Sequence, residues 1–193
     1  MISTLITAPT NKPITTAEAK THLRVTSSDD DTYIDTLIDA ALEHVESVTR
    51  RKLITQTWEV FYDDWPDGNY LELPYGQLQS VSYVKYTESD GTETTWSTDY
   101  YSVDTDSDPG RIVLGHGETW PTATLTTKNP IVVRFVCGYG DNASDVPALI
   151  RHAMKFIVSD MYEVRETRII GQSVSKYGDV ITNCLNPYRL WGF

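Results

Sequence analysis

The sequence contains few cysteines, no long apolar run and no leader-like beginning. Cys137 and Cys184 are the only cysteines in 193 residues, which excludes a disulfide-stapled scaffold and is typical of a protein that folds in a reducing cytoplasm. No apolar stretch approaches the roughly 20 residues that a membrane-spanning helix needs, so we expect no membrane partner. The first residues, MISTLITAPTNKP, show no basic patch followed by an apolar run, and we expect no secretory signal.

Positive charge is also scarce. Lysine and arginine number 16 against 27 aspartates and glutamates, which gives a net charge of −11. Proteins that hold nucleic acid through its phosphates need clustered basic side chains. We therefore expect no grip on DNA, although an acidic protein can still lie beside a duplex that it repels.

The chain lacks the short motifs of common catalytic and phosphate-binding sites. It contains no GxSxG, HExxH or GxxxxGK[ST]. Residues 138–143 fit GxGxxA formally, but no βαβ pattern surrounds them, and Asp141 and Asp145 would lie beside the pyrophosphate. We interpret this segment as a turn between a strand and a helix.

Possible metal ligands do not fall into a metal-binding pattern. Asp104, Asp106 and Asp108 alternate like the first ligands of a calcium loop, but Pro109 and Gly115 stand where such a loop needs glycine and glutamate. The four histidines are scattered without zinc spacing: His22, His44, His116 and His152. We therefore expect no metal, no cofactor and no catalytic residue.

Apolar periodicity predicts three helices and a short fourth one. The first covers Thr15 to Val25, with Thr15 and Glu18 as a capping box. The second follows Ser28, its expected cap, and carries one apolar stripe: Ile34, Leu37, Ile38, Ala41, Leu42, Val45 and Val48. The third starts at Asp145, its expected cap, and carries another: Leu149, Ile150, Ala153, Met154, Ile157, Val158 and Met161. The short helix covers Asp179 to Leu185.

Between the second and third helices the pattern changes to short β-branched and aromatic runs divided by Pro, Gly, Asn and Asp turns. This pattern predicts an antiparallel β subdomain. Its expected strands are 56–62, 71–73, 80–87, 92–96, 100–104, 111–114 and 131–136. Four of the five tryptophans fall within it.

These elements together indicate an α+β fold, in which a small α-helical core is interrupted by an inserted antiparallel β subdomain and followed by an extended C-terminal tail. We assign residues 1–54 to the N-terminal helical part of the core and residues 55–137 to the β insert. Residues 138–186 form the C-terminal helical part, and residues 187–193 the tail.

The tail combines large apolar side chains with a basic one. Its residues of interest are Pro187, Tyr188, Arg189, Leu190, Trp191 and Phe193. Chain ends are usually polar, and these side chains would expose much apolar area unless they were docked. The tail either folds back onto the core of its own chain or docks on another chain, since aromatic residues with arginine are common anchors at interfaces.

Several segments, in order along the chain, resemble the head–tail connector (adaptor) proteins of tailed phages. Residues 10–31 read TNKPITTAEAKTHLRVTSSDDD and residues 34–57 read IDTLIDAALEHVESVTRRKLITQT, followed by Trp58. The later segments are Leu73-Pro74, QLQSV, FVCGYG, VPALIRHAM, Tyr162-Glu163 and the ending LNPYRLW. Each piece is short, but the ordered set covers nearly the whole chain.

This resemblance implies a structural virion protein without enzymatic activity. It implies a homo-oligomeric ring, a dodecamer, located in the virion neck under the portal protein and assembled in the host cytoplasm. The ring would extend the DNA channel, let genomic DNA pass without specific binding, and offer a platform to the tail terminator or other neck and tail proteins. The resemblance also implies that the C-terminal residues bind the portal.

A closed ring needs two different subunit faces that fit each other. Glu43 and Glu46 on the second helix and Arg151 and Lys155 on the third carry opposite charge, so we expect them to pair between neighbouring subunits. We also expect an acidic channel lining, because a basic one would retain DNA.

Two other functions compete with this interpretation. A carbohydrate- or receptor-binding module of a virion could use Trp58, Trp65, Trp96 and Trp120 as stacking platforms, and glycan binding lost on tryptophan substitution would favour it. A hydrolase could be assembled from Asp104, Asp106, His116 and Glu118, but it would require these side chains to meet in a pocket.

Overall fold

The computed structural model describes residues 2–164 and 178–191, and the chain divides into two compact units. The β unit comprises Met1–Thr10 and Thr55–Tyr139, and the helical unit comprises Asn11–Ile54 with the described part of Gly140–Phe193. Helices and antiparallel sheets are thus both present, which confirms the α+β class. Residues 2–10, which the sequence pattern assigns to the helical core, belong to the β unit.

The β unit contains two antiparallel sheets. The larger has the strand order β1-β2-β8-β4-β5, and the smaller has the order β3-β7-β6. The strands are β1 Ile2–Thr7, β2 Gln56–Tyr62, β3 Tyr70–Glu72, β4 Leu78–Thr87, β5 Glu93–Thr95, β6 Tyr101–Asp104, β7 Arg111–Leu114 and β8 Ile131–Cys137. The runs predicted for β2 and β7 have the observed bounds, whereas β1 was missed because its alternating pattern is short and its side chains remain largely exposed.

One face of the larger sheet forms the core of the β unit. Val60 of β2 lies opposite Val133 of β8, and Val84 of β4 lies opposite the same residue from the other side. These side chains and Phe135 are fully buried. Strands at the centre of a sheet therefore supply the β-branched layer, on which the aromatic side chains of the unit pack.

The helical unit begins with α1 Thr16–Leu23 and α2 Asp31–Thr49. The capping box at α1 is confirmed: the Glu18 amide donates to Thr15 Oγ1 over 3.1 Å, and the Thr15 amide donates to Glu18 Oε2 over 3.0 Å. The cap expected for α2 is wrong. Its N-cap is Asp30, and Ser28 contributes only its carbonyl, which accepts from the Asp31 amide at 3.2 Å.

The unit is completed by α3 Ala148–Glu163 and α4 Gly178–Leu185. Facing apolar stripes of α2 and α3 form the core; the buried members are Ile34, Leu37, Ile38, Ala41, Val45, Ile150, Ala153, Met154, Ile157 and Val158. The expected Asp145 cap is wrong, since Pro147 is the N-cap of α3. Within the part of the chain that is described, no helix has the length and apolar character needed to cross a bilayer.

Candidate interaction surfaces and the C-terminal segment

The C-terminal segment is tied to the end of α2. After α4 the chain makes a single turn of 3₁₀-helix at Asn186–Tyr188. The Leu190 amide then donates to the Thr49 carbonyl over 3.0 Å, and Arg51 Nε donates to the Tyr188 carbonyl. Arg51 is itself buried, and Leu190 is only 6% exposed. The first part of the tail therefore belongs to the packed structure of its own unit.

The next residue behaves differently. Trp191 is 73% exposed, more than any other large hydrophobic residue in the described part of the chain. The Arg189 guanidinium lies 4.6 Å from the centre of the Trp191 ring, an arrangement that holds a cation against the aromatic face. Pro187 is exposed and Tyr188 is half-buried, while Phe193 lies outside the described residues.

Folding back onto the same chain thus applies to Leu190, whereas docking of Trp191 on another chain stays a prediction. Leu190 folds back onto its own unit, and Trp191 presents an indole to solvent. Burying a large aromatic side chain that would otherwise be exposed is worth about 2 kcal/mol, so an exposed indole held by a fixed backbone is suited to docking on another chain.

The basic side chains expected at a subunit interface have partners within the same unit. Arg151 Nη2 lies 2.5 Å from Glu18 Oε1, and Lys155 Nζ lies 3.6 Å from the same oxygen. Arg151 Nε also donates to the Pro13 carbonyl over 3.1 Å. Partial burial opposes ionisation of Glu18, but the hydrogen bond from Thr15 and the charges of Lys155 and Arg151 outweigh it and lower the pKa of the Glu18 carboxyl.

The two acidic residues of that expected interface differ in their surroundings. Glu46 Oε2 lies 2.7 Å from Lys52 Nζ, and Glu46 Oε1 accepts from the Leu53 amide over 3.0 Å. Glu46 therefore closes the end of α2 in its own chain, and Glu43 is exposed. Within one subunit, Arg151 and Lys155 contact Glu18 of α1, and their pairing with the glutamates of α2 in a neighbouring subunit stays a prediction.

The Asp104 carboxylate, at the start of the acidic turn after β6, accepts hydrogen bonds from residues of the same unit. Asp104 Oδ2 accepts from Ser107 Oγ over 2.6 Å and from Arg111 Nε over 2.9 Å. The hydrogen bonds from the Ser107 hydroxyl and amide, followed by the one from Arg111, lower the pKa of Asp104 to about 2. No group of metal-ligating side chains occurs in residues 2–164 and 178–191. His116 and Glu118 are exposed in the turn after β7.

The tryptophans of the β unit pack against one another. Trp65 stacks on Trp120 with ring centres 5.1 Å apart, and Trp96, only 7% exposed, lies 5.3 Å from Trp120 and 4.9 Å from Tyr101. Trp58 packs on Tyr75 at 4.8 Å. A sugar-binding platform needs an aromatic face that is open to solvent. The faces of these rings are largely covered by other rings and by the core, so the geometry gives no support to carbohydrate binding.

The glycine-containing segment after β8 is the expected turn between a strand and a helix. Asp145 Oδ2 accepts from the Asn142 amide over 2.8 Å, so the Asp145 carboxylate holds the turn itself. Gly140 has a φ of +157°, and a Cβ there would lie 2.4 Å from Asp145 Oδ2. A pyrophosphate would meet this carboxylate, which rules out the dinucleotide interpretation for this turn.

Comparison with known proteins identifies a family that part of the chain matches. Residues 13–108 match the family model described as phage gp6-like head-tail connector protein, a span that runs through α1 and α2 and into the β unit as far as the turn after β6. A search of curated proteins found no significant match.

Solved structures match over the whole chain. The neck of an empty gene transfer agent (GTA) particle, computed with C6 symmetry, aligns with a TM-score of 0.81 and 20% identity. The virion of a native GTA particle gives 0.79 and 22%, and the neck of a native GTA particle computed with C12 symmetry gives 0.76 and 21%. Each alignment covers 100% of this chain and 99% of the other. These similarities show that the fold, with its β unit and its helical unit, is that of the matched chains.

The matched family span and the order of helices, β insert and helices agree with the connector resemblance of the sequence. Over residues 13–108 the chain matches the gp6-like head–tail connector family of phages, which confirms the family resemblance of the sequence.

Proposed function

We propose that the protein is one subunit of a closed, twelvefold ring in the virion neck, which lies under the portal protein and extends the DNA channel toward the tail. The observation that carries the proposal is the alignment of the full chain with chains of GTA particle necks, one of them computed with C12 symmetry. The family match supports the same role independently. A ring of this kind also provides the platform on which a tail terminator or other neck and tail proteins attach.

The charge of the chain suits this role. Each subunit carries a net charge of −11, so twelve subunits form a strongly acidic collar. An acidic lining repels the phosphates of genomic DNA, which lets the duplex slide past without specific binding. The role is structural, without enzymatic activity, and requires no metal or cofactor.

The portal-binding segment is centred on Trp191. Arg189 stacks on its indole, and the backbone that precedes it is fixed by the hydrogen bonds to Thr49 and Arg51. Because these contacts immobilise the segment before docking, less conformational entropy is lost when the indole enters a pocket of the partner. Pro187 and Tyr188 border this contact, and Leu190 anchors it to its own subunit. Phe193 belongs to the same proposed segment by its sequence.

A charged contact between subunits remains a proposal for Glu43, the exposed member of the expected set. Glu46, Arg151 and Lys155 have partners within the subunit, so they would contribute to the ring only by rearranging or sharing those contacts.

Native mass measurement of the protein with and without its portal tests the proposal. We expect a complex with twelve copies on the portal and, for Trp191→Ala, at least a tenfold loss of attachment. Leu149→Ala is the matched control, because Leu149 is also an exposed apolar residue of the helical unit. Attachment as single copies would overturn the ring, and undiminished attachment of Trp191→Ala would overturn the tail assignment alone.

A further inference from the structure

The two edges of the larger sheet are protected to very different degrees. At one edge, β5 has only three residues, and its Glu93 pairs with Lys85 of β4 at 2.7 Å. At the other edge, β1 has six residues, and its main chain pairs within the described chain with β2 alone. A side-chain hydrogen bond joins Ser3 Oγ to the Tyr75 hydroxyl over 2.6 Å and leaves the main chain of this edge unpaired within the described residues. Short length and charge are the usual devices that prevent a sheet edge from pairing with another chain, and β1 has neither.

Strand β1 is also exposed and apolar. Ile2, Leu5 and Ile6 are 59%, 42% and 41% exposed. Its sequence, ISTLIT, contains no charged residue and no proline. A bulge between Leu5 and Thr7 is the single irregularity of its pairing with β2. The strand therefore offers both free main-chain groups and uncovered apolar side chains.

The apolar side chains of β1 lie on both faces of the sheet. Ile2 is opposite Phe61 and Leu5 is opposite Trp58, and residues directly opposite each other in an antiparallel pair share a face. A partner resting on one face would leave the other side chain exposed. A strand added along the edge would cover both, because its own side chains alternate in the same way.

Charge favours a second copy of this chain as the occupant. Two molecules with a net charge of −11 repel each other, and they approach at the least electrostatic cost through an uncharged surface. A basic partner would instead be drawn to acidic surfaces. Strand β1 is such an uncharged strip on a strongly acidic protein.

We propose that β1 is a contact between neighbouring subunits, in which the free edge of Ile2–Thr7 pairs with the main chain of a different strand in the next copy. This inference rests on the proposed ring and adds the surface that closes it. The contact is heterologous, because a ring joins two different surfaces at every interface.

The test is assembly of the double variant Leu5→Lys, Ile6→Lys on the portal, measured by native mass. Both side chains are exposed, so the subunit should retain the wild-type near-UV circular dichroism. We expect at least a tenfold loss of complete rings, because two buried lysines would oppose the strand pairing. Leu149→Lys is the matched control, since it places one charge at an exposed apolar site of α3.

The outcomes separate this inference from the function on which it rests. Complete rings of the double variant would overturn the β1 contact and leave the ring intact, whereas a wild-type protein that forms no ring with its portal would overturn the function. Hydrogen exchange gives a second measurement that needs no substitution. Amides of residues 2–7 that are free in the subunit should exchange at least tenfold more slowly in the ring, and unchanged exchange would refute the pairing.

Discussion

The β unit and the helical unit hold their parts together in different ways. The β unit buries a layer of aromatic rings over a β-branched sheet, with Trp96 and Tyr101 inside its core. The helical unit is built from two segments far apart in the chain, which are joined by facing aliphatic stripes and by polar contacts such as Glu18 with Arg151 and Asp30 with Tyr162. Steric changes should therefore damage the β unit most, and single contacts between segments should matter most in the helical unit.

The largest expected effect is steric and lies in the β unit. In Gly110→Ala the new Cβ would lie 2.3 Å from Leu78 Cβ, a contact that cannot be relieved without moving the backbone. We expect a loss of about 3 kcal/mol in the free energy of unfolding, measured by urea denaturation with tryptophan fluorescence. Gly68→Ala is the control, because nothing lies within 4 Å of its Cβ position. Equal stability of the two variants would contradict the close packing inferred here.

The next effect separates anchoring from docking in the tail. Leu190→Ala removes a buried side chain and should lower the free energy of unfolding by about 2 kcal/mol. Trp191→Ala removes an exposed one and should change it by less than about 0.5 kcal/mol. Thermal unfolding of both variants measures the difference. If Trp191→Ala proved the more destabilising, the indole would be a structural residue and the docking role would lose its basis.

A smaller effect concerns the ion pair between the two helical segments. Glu18 and Arg151 are partly exposed, so we expect a coupling energy of about 1 kcal/mol or less in a double-mutant cycle with Glu18→Ala and Arg151→Ala. The exchanged pair Glu18→Arg, Arg151→Glu should recover part of the stability that either single reversal loses. Assembly of the exchanged pair on the portal distinguishes the role of Arg151 within its subunit from a role between subunits. If the ring needs Arg151 for a contact with a neighbouring subunit, the exchanged pair will not restore assembly.

The smallest effect is a pH dependence in the β unit. Hydrogen bonds from Ser107 and then Arg111 lower the pKa of Asp104 from 3.8 to about 2. Since this pKa is lower in the folded state than in the unfolded one, the ionised carboxylate stabilises the fold above pH 3.8, and this contribution is lost as the pH falls toward 2. Asp104→Asn should therefore show a weaker decline of stability between these two pH values. Parallel pH profiles of the variant and the wild type would exclude the contribution.

Local signals in the sequence were sufficient for most elements. The capping box at Thr15 and Glu18 marks the start of α1, and the aliphatic repeat from Ile34 to Val45 marks the buried side of α2. The N-caps expected from the sequence, Ser28 for α2 and Asp145 for α3, lie two residues before the observed ones, because several polar residues that could cap precede each helix. The Asp145 carboxylate instead accepts a hydrogen bond from the Asn142 amide. This contact depends on the conformation of the whole turn.

Strand β1 and the partners of the charged residues could not be inferred in this way. The ISTLIT segment becomes a strand only because β2 offers it an edge, and Arg151 finds Glu18 although 132 residues lie between them in the sequence. The same holds for the tail, where the hydrogen bond between Leu190 and Thr49 decides which apolar residue is buried.

The sequence by itself determined the acidic character, the helical stripes, the β insert and the family resemblance, because composition, periodicity and local motifs are properties of neighbouring residues. Only the tertiary structure decided that the first strand forms an outer edge of the larger sheet, that Glu46, Arg151 and Lys155 have partners within their own subunit, and that Leu190 is buried while Trp191 is exposed. These outcomes depend on contacts between residues far apart in the chain, and such contacts are selected by the packing of the whole unit.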